Sequence, residues 1–401
     1  MLVNSFQSQS DHQNNHLYMN KLSLLPGVVA PRPPKGSAQA HTGIQPLSPF
    51  ATAQRFQPLP APLGAPPYHF DLETAVPGIG KMSADAGKIV FHTVGDTGGI
   101  KQADYQMMVA AGMKNDLSQA APERPAFFYH LGDVVYYNGE INEYYAQFYD
   151  PYNHYDAPIF SIPGNHDGDP ISPAQTSLDG WMAYFMTATP HIDPISQDAP
   201  RVTMSQPYVY FTLECPFVTI VGMYTNVPDH GSVDSQQQQW LTNEFATAPQ
   251  DKALIVALHH PIYSFDAYHS GSPGMADVVQ HAINDSRRVP NMVLAAHVHN
   301  YQHIERSVTD QTATPFVVAG NGGYFNLHNL NARDGTVDDA TGAKLITGVK
   351  KYGYVTVSVN SKKISVKPTF VDKKTGKITT GKEFDCPANP LFLPNGVVTS
   401  L

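Results

Sequence analysis

Six short apolar runs, separated by longer amphipathic stretches, constrain the fold of this chain more than any other feature of its sequence. They lie at 88–94, 126–131, 159–162, 217–224, 253–258 and 292–296. Short runs that are apolar on both faces are typical of parallel strands covered by helices. The sequence therefore predicts an α/β domain in which these runs form strands.

The stretches between and after these runs complete the prediction. Helices are predicted at 102–113 and 235–247, the second with Ser235 as its N-cap. After residue 319 the pattern changes, because residues 352–359 and 363–371 alternate between apolar and polar side chains. Such alternation predicts antiparallel strands that close the domain.

The first 80 residues are polar at first and then rich in proline. Proline removes backbone donors and breaks helices, so residues 1–80 are predicted to form an extended arm that is disordered or draped over the domain. Recognition of the arm by a proline-binding partner is the alternative. The main domain is predicted to span residues 81–372, and residues 373–401 to form a C-terminal hairpin and tail.

Charge and composition exclude some classes of partner. The net charge is −9, so neither a nucleic-acid surface nor a membrane is expected as a partner, and an anionic substrate needs a local positive centre. No apolar run approaches the ~20 residues that cross a bilayer, which predicts a soluble protein. No standard secretory signal is recognised, and the export route and oligomeric state stay open. The sequence also leaves open whether Cys215 and Cys386 pair.

Five of the apolar runs end in short polar clusters, and these clusters carry the candidate chemistry. Because the carboxyl ends of parallel strands meet at one edge of a sheet, side chains distant in sequence are expected to meet there. Together they offer enough oxygen and nitrogen donors for two metal ions that share one carboxylate. The clusters are Gly95-Asp96-Thr97-Gly98, Gly132-Asp133-Val134-Val135-Tyr136, Gly164-Asn165-His166-Asp167, His259-His260 and His297-Val298-His299.

His297 and His299 lie two residues apart. In an extended strand this spacing puts both imidazoles on one side, so both are expected to face the same pair of ions. Two ions about 3.5 to 4 Å apart can hold a phosphoester, acidify a water molecule and neutralise developing charge. The clusters therefore favour phosphoester hydrolysis.

In this order, the five clusters resemble those of the calcineurin-like metallophosphoesterase superfamily, and most of all its purple acid phosphatase branch. Two linked features distinguish that branch: a glycine that ends the first cluster, here Gly98, and a tyrosine three residues after the second aspartate, here Tyr136. A phenolate is a hard anionic donor suited to trivalent iron, whereas a neutral imidazole suits a divalent ion. The resemblance implies an α/β fold, a four-layer αββα sandwich in which helices flank two mixed β-sheets.

The resemblance also implies a role for each candidate residue. Residues 81–372 would form the metallophosphoesterase catalytic domain. His166 would contact the phosphate or protonate the leaving oxygen, and His269 would lie near the substrate. Fe(III) would be held by Asp96, Asp133, Tyr136 and His299, and a second divalent metal (Fe, Zn or Mn) by Asp133, Asn165, His259 and His297, with Asp133 as the shared ligand.

The implied function is hydrolysis of small-molecule phosphate monoesters, of the acid phosphatase type, by a metal-activated hydroxide at a dinuclear Fe(III)–M(II) site. Family members are often secreted or periplasmic. A phosphodiesterase or nucleotidase with two divalent ions in the same fold is the alternative enzyme, and Tyr136 discriminates between the two. A binding or scaffolding protein that works through the proline-rich arm is the alternative outside enzymes, and it would require the loss of a metal ligand.

Overall fold

Strands and helices are described here from a computed structural model, which covers residues 55–172, 175–309 and 312–401. The strands are β1 (His69–Asp71), β2 (Ile89–Val94), β3 (Phe128–His130), β4 (Ile159–Ser161), β5 (Phe211–Glu214), β6 (Val218–Gly222), β7 (Ala253–Ala257), β8 (Arg288–Val289), β9 (Met292–Ala295), β10 (Tyr301–Thr309), β11 (Thr312–Ala319), β12 (Lys344–Val349), β13 (Tyr352–Val359), β14 (Lys363–Val371), β15 (Ile378–Thr380), β16 (Phe384–Pro387) and β17 (Leu391–Phe392). The α-helices are Leu72–Ala75, Ile79–Ala86, Ala103–Asp116, Asn165–Gly168, Asp179–Phe185, Ser235–Thr247 and Pro273–Ser286.

Two mixed sheets form the centre of the fold. The first has the strand order β1-β5-β6-β7-β9-β11-β10-β12, and the second has the order β15-β14-β13-β2-β3-β4, with β16 also paired to β14. Within them, β2, β3 and β4 are parallel neighbours, and so are β6, β7 and β9. The predicted α/β class and the closing antiparallel strands, β13 and β14, are confirmed.

The six predicted strands form where the apolar runs lie, with ends shifted by one or two residues. Every residue of β2, β3, β4, β6, β7 and β9 is buried, as expected for parallel strands covered on both faces. The predicted helices correspond to Ala103–Asp116 and Ser235–Thr247. The predicted N-cap was wrong by one residue: the Asp234 carboxylate accepts from the backbone N–H of Gln237 and caps the second helix.

The two sheets pack face to face through aromatic side chains. Tyr129 of β3 stacks on Phe211 of β5 with ring centroids 6.3 Å apart. Phe70 of β1 meets Phe160 of β4 edge-on at 5.3 Å. The helix Ala103–Asp116 packs on β13 and β14, and the helices Ser235–Thr247 and Pro273–Ser286 pack on each other and on β8. Helices therefore flank two mixed sheets, as the resemblance implied.

The segment from residue 55 to residue 80 lies on the first sheet. Strand β1 pairs in parallel with β5, and the Trp240 indole N–H donates to the Pro67 carbonyl at 2.7 Å. Residues 1–54 of the predicted arm lie outside the described residues, and the predicted boundary at residue 81 stays a prediction. At the other end of the chain, the backbone N–H groups of Thr399 and Leu401 donate to Asn284 and Gln280 of the helix Pro273–Ser286.

Two further sequence questions concern cysteine and membranes. Cys215 and Cys386 are both buried and are not bonded to each other. In the described part of the chain, every helix is too short or too polar to span a bilayer.

Asn226 ties the N-terminal segment to the loop that follows β6. Its buried side chain accepts from the backbone N–H of Gln57 at 2.7 Å and donates to the Gln57 carbonyl at 3.0 Å. One amide therefore satisfies both backbone groups of a residue 169 positions earlier in the chain. We call this contact the Asn226 clasp.

Replacing Asn226 by Ala should release the N-terminal segment, because both clasp hydrogen bonds are lost. The free energy of unfolding should fall by about 2 kcal/mol, since each net hydrogen bond contributes about 1 kcal/mol. Tryptic cleavage after the exposed Arg55 should become faster, and both effects can be measured by urea denaturation and limited proteolysis. Asn226→Asp, which keeps the acceptor for the Gln57 N–H, should be intermediate; cleavage of Asn226→Ala at the wild-type rate would contradict the role of the clasp.

Candidate metal centre

The carboxyl ends of five parallel strands bring the seven predicted ligands together. Three of these strands, β2, β3 and β4, are neighbours in the second sheet, and two, β7 and β9, are neighbours in the first. Their ends meet where the two sheets face each other, so the following loops converge. The loops carry Asp96 after β2, Asp133 and Tyr136 after β3, Asn165 after β4, His259 after β7, and His297 and His299 after β9.

One group of donors consists of Asp96, Tyr136 and His299. The Tyr136 hydroxyl lies 2.9 Å from Asp96 Oδ1 and 3.4 Å from His299 Nε2. His299 Nε2 lies 3.4 Å from Asp96 Oδ1. All three residues are buried, so three different donor types converge on one enclosed point.

A second group consists of Asp133, Asn165, His259 and His297. His259 Nε2 lies 3.1 Å from Asn165 Oδ1 and 3.4 Å from Asp133 Oδ2. His297 Nδ1 lies 3.0 Å from the same Asn165 oxygen. Donor atoms of Asp133, His259 and His297 all lie within 4.8 Å of one another.

Both groups have the spacing that a common ion requires. Two donors that are each about 2.1 Å from one ion, at octahedral or tetrahedral angles, lie about 3.0 to 3.4 Å apart. The separations within the two groups fall in that interval or close to it, from 2.9 to 3.4 Å. Carboxylate, amide, phenol and imidazole donors in this arrangement fit two metal ions.

Backbone carbonyls fix the orientation of the imidazole donors. His259 Nδ1 donates to the Leu131 carbonyl at 2.8 Å, and His299 Nδ1 donates to the Asn326 carbonyl at 3.1 Å. A carbonyl oxygen can only accept, so Nδ1 carries a proton in both rings and Nε2 faces the donor group. Both rings are therefore oriented with Nε2 toward the position that a metal ion would take.

Three ligand candidates adopt left-handed backbone conformations. The φ angles of Asp96, Asp133 and His297 are 54°, 54° and 64°. This conformation costs a residue with a Cβ roughly 1 kcal/mol or more, and such strain concentrates at functional sites. The expectation that His297 and His299 share one side of an extended strand was wrong, because β9 ends at Ala295 and both histidines lie in the following bend. They reach different donor groups.

Buried charge dominates the electrostatics of the site. Burial raises the pKa of Asp96 to about 7. Burial would also raise the pKa of Asp133, but the charges of His259 and His166 hold it below its usual range. Burial lowers the pKa of His259, yet Asp133 outweighs it and raises that pKa to about 9. Burial and His328 lower the pKa of His299 to about 3, which leaves that imidazole neutral and able to accept a metal ion.

Each of the two predicted catalytic histidines packs against a ligand candidate. The His166 ring packs on Tyr136 with centroids 4.6 Å apart, and its backbone N–H donates to Asp133 Oδ1 at 2.9 Å. The His269 ring lies 4.7 Å from the His297 ring. Both predicted residues therefore border the centre.

Asp167 is a supporting residue that the sequence did not single out. Its buried carboxylate accepts from the backbone N–H groups of Gly164 at 2.8 Å, Val134 at 3.0 Å and Val135 at 3.2 Å. These contacts join the loop of Asp133 and Tyr136 to the loop of Asn165. The signal was present, because Asp167 immediately follows the Asn-His pair, but nothing in one sequence shows which backbone groups a carboxylate meets.

The close packing of Gly98 gives a physical reason why a glycine ends the first cluster. A Cβ at Gly98 would lie 2.5 Å from Gln147 Oε1 and 2.7 Å from Tyr136 Cδ2. Gln147 in turn holds Tyr136, because its side chain bonds the Tyr136 backbone N–H at 2.9 Å and carbonyl at 2.8 Å. The tyrosine ring thus occupies the space that a side chain at position 98 would need.

Comparison with known proteins agrees with this architecture. The purple acid phosphatase PPD1 from yellow lupin (Lupinus luteus) seeds is similar in structure, with a TM-score of 0.54 and 18% identity over 74% of this chain and 53% of that one. The chain therefore spans about half the length of the lupin protein. GAP50, the anchor in the inner membrane complex of Plasmodium, has a TM-score of 0.50 and 15% identity over 75% of this chain and 89% of that one.

At these identities, the structural likenesses show the shared fold. A search of curated proteins gave no significant match. The family model for calcineurin-like phosphoesterases matches residues 90–301, which are more than half of the chain and include all five polar clusters. This chain therefore belongs to the calcineurin-like phosphoesterase family.

Proposed function

We propose that this chain is a metal-dependent phosphomonoesterase of the purple acid phosphatase branch, with Fe(III) and a second divalent metal. The observation that carries the proposal is the group of Tyr136, Asp96 and His299, with donor atoms 2.9 to 3.4 Å apart. A phenol and a carboxylate together favour a hard, highly charged ion, whereas the imidazoles of His259 and His297 favour a divalent one.

The proposed ligand sets share Asp133. Asp96, Asp133, Tyr136 and His299 would hold Fe(III), and Asp133, Asn165, His259 and His297 would hold iron, zinc or manganese. When bound, the ions supply positive charge for the phosphoryl oxygens and acidify the attacking water. The chain itself supplies donors that are already oriented, so little rearrangement is needed when the ions bind.

His166 and His269 are the proposed catalytic residues. His166 Nδ1 donates to the Tyr137 carbonyl at 2.8 Å, which leaves Nε2 available to the substrate. That nitrogen can contact a phosphoryl oxygen or give a proton to the leaving oxygen. Histidine is the side chain most often used for acid and base catalysis, so a histidine acid agrees with an acid phosphatase.

The fold by itself is not evidence for enzymatic activity, because one fold can host unrelated functions. GAP50 shares this fold and is named as an anchor. The intact set of donor side chains is what favours catalysis here over a scaffolding role.

Metal analysis, a visible spectrum and hydrolysis of mono- and diesters form the first test. We expect one iron and one second metal per chain, visible absorption from a phenolate bound to Fe(III), and faster hydrolysis of the monoester with an acid optimum. A colourless, fully active preparation without iron would favour the phosphodiesterase or nucleotidase with two divalent ions.

Tyr136→Phe should remove the visible absorption and weaken iron binding, because the phenolate donor is lost while the ring is kept. The comparison is with Tyr129→Phe, which removes another buried hydroxyl that has no hydrogen-bond partner in the described residues. The second variant should keep the wild-type colour and iron content. An unchanged visible spectrum in Tyr136→Phe would contradict the assignment of Tyr136 as the phenolate ligand of iron.

Gly98→Ala should displace Tyr136, because the added methyl group would lie 2.7 Å from its ring. We expect a shifted or weakened visible band and a fall in kcat of about a hundredfold, as for small misplacements of catalytic groups. Gly64→Ala is the matched control, since a Cβ there meets nothing within 4 Å. Equal spectra and rates in both variants would show that Gly98 does not control the tyrosine position.

A further inference from the structure

We propose that Asp229 is a positioning residue that holds the His269 imidazole toward the substrate, an inference that rests on the proposed phosphomonoesterase function. Asp229 lies in the loop after β6, outside the five polar clusters. A carboxylate oxygen of Asp229, a ring nitrogen of His269 and a ring nitrogen of His297 all lie within 4.8 Å of one another. A single water molecule or a small rotation of the carboxylate closes such a distance.

Within the described residues, no hydrogen bond to the His269 ring fixes its orientation. The polar contacts of His269 there involve its backbone: its N–H donates to Asp266 Oδ2 at 2.9 Å, and its carbonyl accepts from Ser264. The ring itself contacts the rings of His297, at 4.7 Å, and His328, at 5.3 Å. Ring contacts alone allow the imidazole to rotate, whereas a carboxylate that accepts from one ring nitrogen selects one tautomer.

His297 does not need such a partner. Its Nδ1 faces Asn165 Oδ1 at 3.0 Å, and its backbone N–H donates to Asp96 Oδ2 at 2.7 Å. Its ring is packed against His260, with centroids 4.4 Å apart. Because His297 is already fixed from three directions, the carboxylate of Asp229 acts on His269.

The loop that carries Asp229 is held firmly enough to place a carboxylate. The Gln237 side chain bonds both backbone groups of Tyr224 at 2.9 Å. The Thr225 hydroxyl lies 2.7 Å from His260 Nδ1, and the Ser232 N–H donates to the Thr225 carbonyl at 2.8 Å. The Asn226 clasp adds a third attachment, and the Asp229 side chain on this loop is 46% exposed.

The neighbouring His230 contacts the same carboxylate. Its backbone N–H donates to Asp229 Oδ1 at 3.1 Å, and its Nε2 lies 3.8 Å from Asp229 Oδ2. Asp229 acts on His269 as an orienting group and does not touch the substrate itself.

The test is a double-mutant cycle in the full chain, with Asp229→Asn, His269→Ala and the combination. We expect Asp229→Asn to keep the wild-type metal content and melting temperature but to lose roughly ten- to a hundredfold in kcat/KM for a phosphomonoester. The double variant should be no slower than His269→Ala, because a residue that acts through another adds no further loss. Asp229→Glu, which keeps the carboxylate, should recover part of the activity.

The matched control is Asp285→Asn, which removes another half-exposed carboxylate beside a histidine, at 3.2 Å, on the helix Pro273–Ser286. It should equal the wild type. Wild-type rates in Asp229→Asn, additive losses in the double variant, or loss of metal in Asp229→Asn would each overturn the inference while the wild-type enzyme remained active. Wild-type protein that holds no metal and hydrolyses no phosphoester would instead overturn the proposed function, and the inference with it.

Discussion

Three buried carboxylates at the junction of the two sheets are the constraint on which the rest of the site depends. Asp96, Asp133 and Asp167 are each at most 1% exposed, and burying an unpaired carboxylate costs several kcal/mol. Each has its own hydrogen-bond donors. Asp167 accepts from three backbone N–H groups, and Asp133 faces His259 and accepts from the His166 N–H. Asp96 accepts from the Tyr136 hydroxyl and the His297 N–H. Even so, burial raises the pKa values of Asp96 and Asp167 to about 7. Bound cations would neutralise the negative charge of these carboxylates that the protein donors offset only in part.

This constraint also explains the local backbone geometry. A strand that continued in the extended conformation would point its next side chain to one face of the sheet, but Asp96, Asp133 and His297 turn into the left-handed region. The turn redirects the backbone where each strand ends, and the side chains meet there. Small neighbours make the turn possible: a Cβ at Gly164 would collide with the Asp133 carboxylate. The strain is offset by the hydrogen bonds that the turned residues make.

Sequence patterns predicted the strands and the seven ligand candidates because both depend on local chemistry. Apolar runs indicate buried strands, and polar residues at the ends of these runs indicate the edge of the sheet at which the strands end. The same reasoning erred where it assumed regular geometry: His297 and His299 lie in a bend, and Asp234 caps the helix assigned to Ser235. The roles of Asp229, Asn226 and Asp167 could not be predicted, because their partners are set by how loops cross in space.

The Asn226 clasp and Asp229 lie three residues apart in one loop, and this links the N-terminal segment to the metal centre. Gln57 is fixed by Asn226, Thr225 faces His260, and His260 packs against His297. A displacement of the N-terminal segment would therefore reach the side chains around the centre through a few packed contacts. The segment that looks least structured in the sequence thus supports the loop on which the orientation of His269 is proposed to depend.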